Sequence, residues 1–124
     1  MDAIRLKGTE DTPAVIFDAA ANIFELSGKS MPENVAAFYG PILSWIDEYG
    51  NKPNPDTVVN FKLEYFNTAS SKMIMDIMSK FEDIANDGNK VKMKWHYLEV
   101  DEDMLEAGEG YSEIVDVPFE MVSY

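Results

Sequence analysis

The sequence predicts a small two-layer α/β sandwich: a mixed sheet of four to six strands with helices mainly on one face. Two segments, Thr57–Phe66 and Lys90–Tyr97, alternate apolar and polar residues, so each predicts a strand with one apolar and one polar face. Between them, residues 70–86 carry apolar residues at helical spacing. This order predicts two parallel strands joined by a right-handed crossover. Strands covered on both faces would be continuously apolar, which these are not.

Three strands are predicted in the N-terminal part of the chain. A short strand over Ala3–Lys7 ends at Thr12–Pro13, and two further strands then form a hairpin around a turn near Ala19–Ala21, closed by Gly28: Ala14–Asp18 and Asn22–Ser27.

A helix follows the hairpin. The segment Ser30–Glu33 combines a capping hydroxyl, an early proline and a glutamate three residues on, which predicts a helix start. Apolar periodicity continues to about Tyr49, where Gly50 is a stop signal. Pro41 lacks a backbone donor and clashes with the preceding turn, so we expect a kink or a split near Gly40–Pro41.

The remaining elements complete the layer. Asn51–Asp56 is a proline-containing loop, Asp101–Ile114 contains a short acidic helix, and Pro118–Ser123 is a last short strand. In the central helix one apolar stripe is expected to face the core: Ile74, Ile77, Met78, Phe81, Ile84 and Ala85. We expect Ile77 and Phe81 to pack on Phe61, Leu63 and Trp95.

Composition limits the possible functions. The 124 residues predict one domain, residues 1–124, and the 46% of hydrophobic residues can fill one core. Cysteine is absent, which excludes disulfides, thiol catalysis and thiolate metal sites. No apolar run approaches the roughly 18 residues of a membrane span and no signal peptide is recognisable, so the sequence predicts a cytoplasmic protein.

The charge is strongly acidic. Twenty-three acidic residues against ten basic ones give a net charge of −13, which argues against binding to nucleic acid or anionic lipid. Eight acids and no Lys or Arg lie between Glu99 and Asp116. This asymmetry favours either simple solubility or steering toward a basic protein surface.

The junction between the first strand of the central unit and its helix holds the candidate site. Hydroxyl residues at Thr68, Ser70 and Ser71 follow the strand, and either Asn67 or Thr68 occupies the N-cap position. Unpaired N–H groups and the helix dipole favour negative charge there, so a phosphoryl group on Thr68 would be stabilised. A plain N-cap explains the same pattern.

No catalytic residues or catalytic motifs are recognisable in the sequence. The single histidine, His96, falls on the lysine-bearing face of its strand, and no glycine-rich phosphate loop is present. Asp101, Glu102 and Asp103 lack the spacing of a calcium loop and stand at a helix start, where acids are common. No cofactor is implied.

A hydroxyl at a strand–helix junction of a one-sided α/β domain resembles the layout of the anti-sigma-factor antagonists, or STAS domains. More specifically, the run from Leu63 to Ile77 closely resembles the SiaC family of bacterial regulatory phosphoproteins. Five further segments match that family in the same order: Gly8–Pro13, Gly28–Glu33, Trp95–Tyr97, Asp103–Gly108 and Pro118–Phe119. The resemblance covers essentially the whole chain.

This resemblance implies a partner switch. The unmodified protein of this family binds and activates a diguanylate cyclase of the GGDEF type, a dedicated protein kinase phosphorylates a threonine, and a PP2C-like phosphatase reverses the modification. That threonine matches Thr68. We expect the partner surface to include these residues: Tyr65, Asn67, Ser70, Ser71, Lys72, Ser30, Pro32 and Glu33.

Two other classes remain open. One is a small enzyme whose site is shared between subunits and includes perturbed carboxylates near His96. The other is a ligand- or metal-binding module that uses the acidic C-terminal third.

Overall fold

A computed structural model describes all residues from Met1 to Tyr124. It contains a six-stranded sheet and three helices: β1 (Ile4–Leu6), β2 (Ala14–Asp18), β3 (Ile23–Ser30), α1 (Val35–Tyr49), β4 (Asp56–Phe66), α2 (Thr68–Asn86), β5 (Lys90–Tyr97), α3 (Glu102–Ile114) and β6 (Phe119–Ser123). The strands lie in chain order across the sheet. The pairs β1–β2 and β2–β3 are antiparallel, whereas β3, β4, β5 and β6 are mutually parallel, so the mixed sheet and the parallel β4–β5 pair are confirmed.

The helices cover one face of the sheet. In β2, β4 and β5 fully buried residues alternate with exposed or half-buried ones, so only one face is packed. The buried face and the helices form one core cluster of 23 apolar residues. This confirms the two-layer α/β architecture, while the likeness to the STAS layout stays a prediction. None of the three helices has the length and apolar character that crossing a membrane requires.

The start of α1 differs from the prediction. Strand β3 continues through Gly28, whose φ is +96°, and ends at Ser30. The helix begins only at Val35, because Asn34 is its N-cap and accepts the Ala37 N–H at 3.0 Å. The predicted start at Ser30–Glu33 was therefore wrong, and Ser30 belongs to the sheet.

Helix α1 is not split at Pro41. It runs unbroken from Val35 to Tyr49 with Pro41 inside it and exposed. A proline costs the helix one backbone hydrogen bond. Buried side chains on both sides of Pro41 offset that loss, since packing supplies most helical stability in proteins: Tyr39, Ile42, Trp45, Ile46 and Tyr49.

The aromatic rings around Phe81 and those around Trp95 form two separate groups in the core. From the sequence we expected the α2 stripe to pack on Phe61, Leu63 and Trp95 together. Phe81 lies fully buried against the rings of Phe17, Phe24 and Tyr49, at centroid distances of 6.1, 6.1 and 6.4 Å. The rings around Trp95 are those of Phe61, Phe66 and Tyr111. Phe81 therefore contacts rings of β2, β3 and α1, because a helix stripe crosses several elements, and no ring pair joins it to Trp95.

Gly108 brings α3 close to the sheet. A Cβ atom at this position would lie 2.4 Å from Cδ1 and 2.7 Å from Nε1 of Trp95. The Trp95 ring cannot easily move away, because it is fully buried and its Nε1–H donates to the Met104 carbonyl at 2.9 Å. The glycine is therefore required by packing and not by backbone conformation.

We predict that Gly108→Ala destabilises the protein even though alanine favours helix. Overpacking costs about 1–3 kcal/mol, which exceeds the gain of up to about 1 kcal/mol from helix propensity. Gly110→Ala is the matched control in the same helix, because nothing lies within 4 Å of its added Cβ. Urea unfolding should show a lower midpoint for Gly108→Ala and an unchanged or higher one for Gly110→Ala; equal midpoints would contradict the close approach.

Candidate functional site

The candidate site is the first turn of α2, at the edge where the parallel strands end. Asn67 is the N-cap, and its Oδ1 accepts the Ser70 N–H at 2.9 Å. Thr68 is therefore the first residue of the helix rather than its cap, and it is exposed. Of the two capping candidates in the sequence, the amide of Asn67 takes the capping role, and the Thr68 side chain is not needed for it.

A β-bulge changes which side chains point outward just before Thr68. Gly28 pairs with Leu63 but Lys29 pairs with Tyr65, so Glu64 is an extra residue in β4. The alternation reverses at this point. Strict alternation would place Tyr65 on the core face with Leu63, but Tyr65 is 51% exposed, while Phe66 turns inward against Trp95 and Tyr111. The bulge thus aims an aromatic side chain into solvent next to the site.

A buried hydroxyl cluster anchors the turn from beneath. The Ser70 hydroxyl contacts the Ser30 carbonyl at 2.9 Å and the Ser30 hydroxyl at 2.8 Å, and the Ser30 hydroxyl also bonds to that of Tyr39. Burial raises the pKa of Tyr39 above its ordinary value, so its hydroxyl stays protonated. All three residues are fully buried. Ser30 and Ser70, which we expected in the partner surface, are thus buried in the free chain, where their hydroxyls hold the end of β3 to the start of α2.

A second tyrosine holds the turn from the side. The Tyr111 hydroxyl, on α3, donates to the Ser71 carbonyl at 2.9 Å and lies 3.2 Å from the Ser71 hydroxyl. Burial raises the pKa of Tyr111, which keeps this donor protonated. Ser71 is thus half-buried and hydrogen-bonded. Tyr111 was not singled out from the sequence, although the spacing of Met104, Gly108, Tyr111 and Val115 is that of a buried helix stripe.

The remaining predicted partner residues surround the turn. Lys72 is exposed and stands one turn after Thr68, with its Nζ 3.5 Å from the Asp76 carboxylate. The Asn67 N–H donates to the Ser30 carbonyl at 3.0 Å, so the chain leaves β3 beside this turn. Of the segment that follows, Pro32 is half-buried and Glu33 is exposed.

His96 lies on the open face of the sheet, as the alternation predicted. Its Nε2 is 3.0 Å from the Asn60 Oδ1. Partial burial, followed by the positive charges of Lys62 and Lys94, lowers the pKa of His96 below 6.5, so the ring is neutral at physiological pH.

Two carboxyl groups, Asp18 and Glu120, have a lowered pKa because hydrogen bonds stabilise their charged forms. Asp18 accepts from the Ala21 N–H and from Arg5. Glu120 accepts from Lys92.

The acidic C-terminal third and the surroundings of His96 are the other two candidate regions. No group of three or more His, Cys, Asp or Glu side chains converges on one point, in the acidic third or elsewhere. A concavity of about 490 Å³ lies at the opposite edge of the sheet from Thr68, where β4, β5 and β6 begin, and His96 is not among the residues that line it.

These features define a one-sided α/β domain with an exposed threonine at the start of a core helix whose first turn is held by buried hydrogen bonds. The chain matches the model of the SiaC family of regulatory phosphoproteins over residues 6–124. A protein of Pseudomonas aeruginosa (strain UCBPP-PA14), described as uncharacterized, is 30% identical over 119 residues, which span 96% of this chain and 94% of that protein. The chain belongs to the SiaC family.

Solved structures agree with this assignment. SiaC of Pseudomonas aeruginosa superposes with a TM-score of 0.91 at 28% identity over the full length of both chains. SiaC from a complex described as the diguanylate cyclase SiaD with its activator SiaC gives a TM-score of 0.92 at 29% identity, over 98% of this chain and 99% of that one. The resemblance drawn from the sequence motifs is thereby confirmed.

Proposed function

We propose that this chain, as one regulatory unit over residues 1–124, is a cytoplasmic partner switch controlled by phosphorylation of Thr68. In its unmodified form it binds and activates a diguanylate cyclase of the GGDEF type and so raises cyclic di-GMP. A dedicated kinase phosphorylates Thr68 and releases the cyclase, and a PP2C-like phosphatase restores the binding form. The chain acts by binding and not by catalysis. The full-length likeness to an activator solved in complex with a diguanylate cyclase supports this partner class.

The observation that carries the proposal is the different accessibility of the three hydroxyls in the first turn. Thr68 is exposed, Ser70 is fully buried and bonded to Ser30, and Ser71 is half-buried beneath the Tyr111 hydroxyl. A kinase needs a hydroxyl that enters its own site, so only Thr68 can be modified without opening the turn.

The fold tolerates a phosphoryl group at this position. The N–H groups of Thr68 and Ala69 have no carbonyl one turn back in the helix, and the positive end of the dipole lies there. Lys72, one turn on, adds a positive charge on the same side of the helix. Phosphorylation therefore changes the surface and leaves the core packing in place.

We predict that the cognate kinase places a single phosphoryl group on Thr68. Intact mass and fragment mapping after kinase treatment should show one added phosphate in the wild type and none in Thr68→Ala. Ser71→Ala is the matched control and should be phosphorylated as the wild type is. Phosphate on Ser70 or Ser71 in Thr68→Ala, formed at the wild-type rate, would contradict the assignment.

A further inference from the structure

The edge of the sheet next to Thr68 carries a cluster of exposed apolar side chains. Tyr65, Leu98, Val100 and Tyr124 are 51%, 47%, 88% and 58% exposed. All four lie where β4, β5 and β6 end, and the Tyr124 carbonyl accepts the Glu99 N–H at 3.0 Å. Apolar side chains gathered at one edge and bordered by charged residues are typical of a protein-binding surface.

A groove of about 220 Å³ lies between this edge and α3. Four apolar residues line it, Tyr65, Phe66, Met104 and Ala107, together with Asp101 and the exposed Glu64 and Asp103, which we call the rim carboxylates. The bulge in β4 makes Glu64 the extra residue and leaves Tyr65 exposed beside it, and both residues line the groove. The groove therefore combines an apolar contact surface with fixed negative charge.

The rim carboxylates have no cation within the chain. A third acid, Asp101, is engaged as the α3 N-cap through the Met104 N–H at 3.0 Å. The five ion pairs of the structure involve neither Glu64 nor Asp103, nor any acid between Glu99 and Asp116. A partner that covered these carboxylates without supplying a cation would have to remove their water at a large cost.

We infer that this groove is a docking site for a protein segment that presents a Lys or Arg side chain flanked by apolar side chains. The cation pairs with Glu64 and Asp103, and the apolar side chains cover Tyr65, Leu98 and Val100. A guanidinium or ammonium group forms its strongest hydrogen bonds with carboxylates, and the acidic C-terminal third steers such a segment to the groove. The inference deepens the proposed function and rests on it for the identity of the natural partner.

The groove and Thr68 have separate roles in this arrangement. The partner's cation is held by the rim carboxylates and so is not available to neutralise a phosphoryl group on Thr68. Groove contacts supply affinity and orientation, whereas the phosphorylation state of Thr68 determines whether the part of the partner next to Thr68 can stay in contact.

The test uses the unmodified full chain and two probes: a displayed library of random peptides, and the GGDEF-type cyclases encoded in the same genome. The test variant is Glu64→Gln/Asp103→Asn. The control is Glu102→Gln/Glu109→Gln, which removes the same charge from two exposed acids of α3 that do not line the groove. Both variants must show the wild-type melting temperature.

We expect enriched peptides to combine Lys or Arg with large apolar residues and to shift the amide signals of Tyr65, Leu98 and Val100. The test variant should lose at least tenfold in affinity at low salt and show a weaker salt dependence, and the control should lose less than threefold. Enriched peptides without basic residues, or equal losses in test and control, would overturn the inference.

The two probes separate the groove from the proposed function. If no cyclase binds the wild type but the peptides behave as expected, the groove is a docking site and the proposed function fails. If a cyclase binds the wild type and both variants with equal affinity, the proposed function stands and the inference about the groove fails.

Discussion

Replacing Phe81 with alanine will lower the free energy of unfolding by about 3–5 kcal/mol. The side chain is fully buried, and the rings of Phe17, Phe24 and Tyr49 surround it. The substitution removes the buried ring and leaves a cavity that these three large rings cannot fill without leaving their own contacts. For a domain whose total stability is about 5–15 kcal/mol, the loss is a large fraction.

Thermal and urea unfolding measure this effect directly. At this chain length the loss corresponds to a decrease in melting temperature on the order of 10 °C or more. Tyr65→Ala is the matched control, since it also truncates an aromatic side chain but one that is 51% exposed, and it should change stability by about 0.5 kcal/mol or less. A decrease of only a degree or two for Phe81→Ala would show that the α2 stripe does not support the β2–β3 side of the core.

Under the proposed function, phosphorylation of Thr68 will weaken binding of a diguanylate cyclase without changing the fold. The group adds a charge of about −1.5 to −2 and a strongly bound hydration shell. At the free helix terminus that charge is accommodated, but inside a docked surface it must lose its water, which costs several kcal/mol unless the partner supplies a cation. We therefore expect the cyclase to be released by local repulsion and by the cost of desolvation. The far-UV circular dichroism spectrum of the chain should stay unchanged.

Titration calorimetry at physiological salt can test this switch with four forms of the chain: the unmodified and phosphorylated wild type, Thr68→Ala and Thr68→Asp. Thr68→Ala should keep the affinity of the unmodified wild type and become insensitive to the kinase. The affinity of Thr68→Asp should lie between those of the unmodified and the phosphorylated protein, because aspartate carries only one negative charge. Equal affinity of the fully phosphorylated and unmodified proteins for the cyclase would rule the mechanism out.

The layer architecture of this protein follows from its amino-acid sequence alone. The alternation in β4 and β5 and the helical period of α2 are local consequences of which face each element buries. The strand–helix–strand order predicted the parallel β4–β5 pair. The family could be recognised because its short motifs occur along the chain in the same order. The strand–helix junction is visible at this level, and the resemblance to the family then singles out Thr68 among the hydroxyl residues of that junction.

The division of the residues around Thr68 between surface and interior depends instead on tertiary contacts. Ser30 and Ser70 meet across 40 residues of chain, and the bulge that exposes Tyr65 is a property of two paired strands. Neither contact leaves a periodic signal, because each depends on the register of one element against another. The two candidate N-caps, Asn67 and Thr68, are adjacent in the sequence and both are residue types that cap helices. Only the backbone geometry shows that Asn67 is the cap.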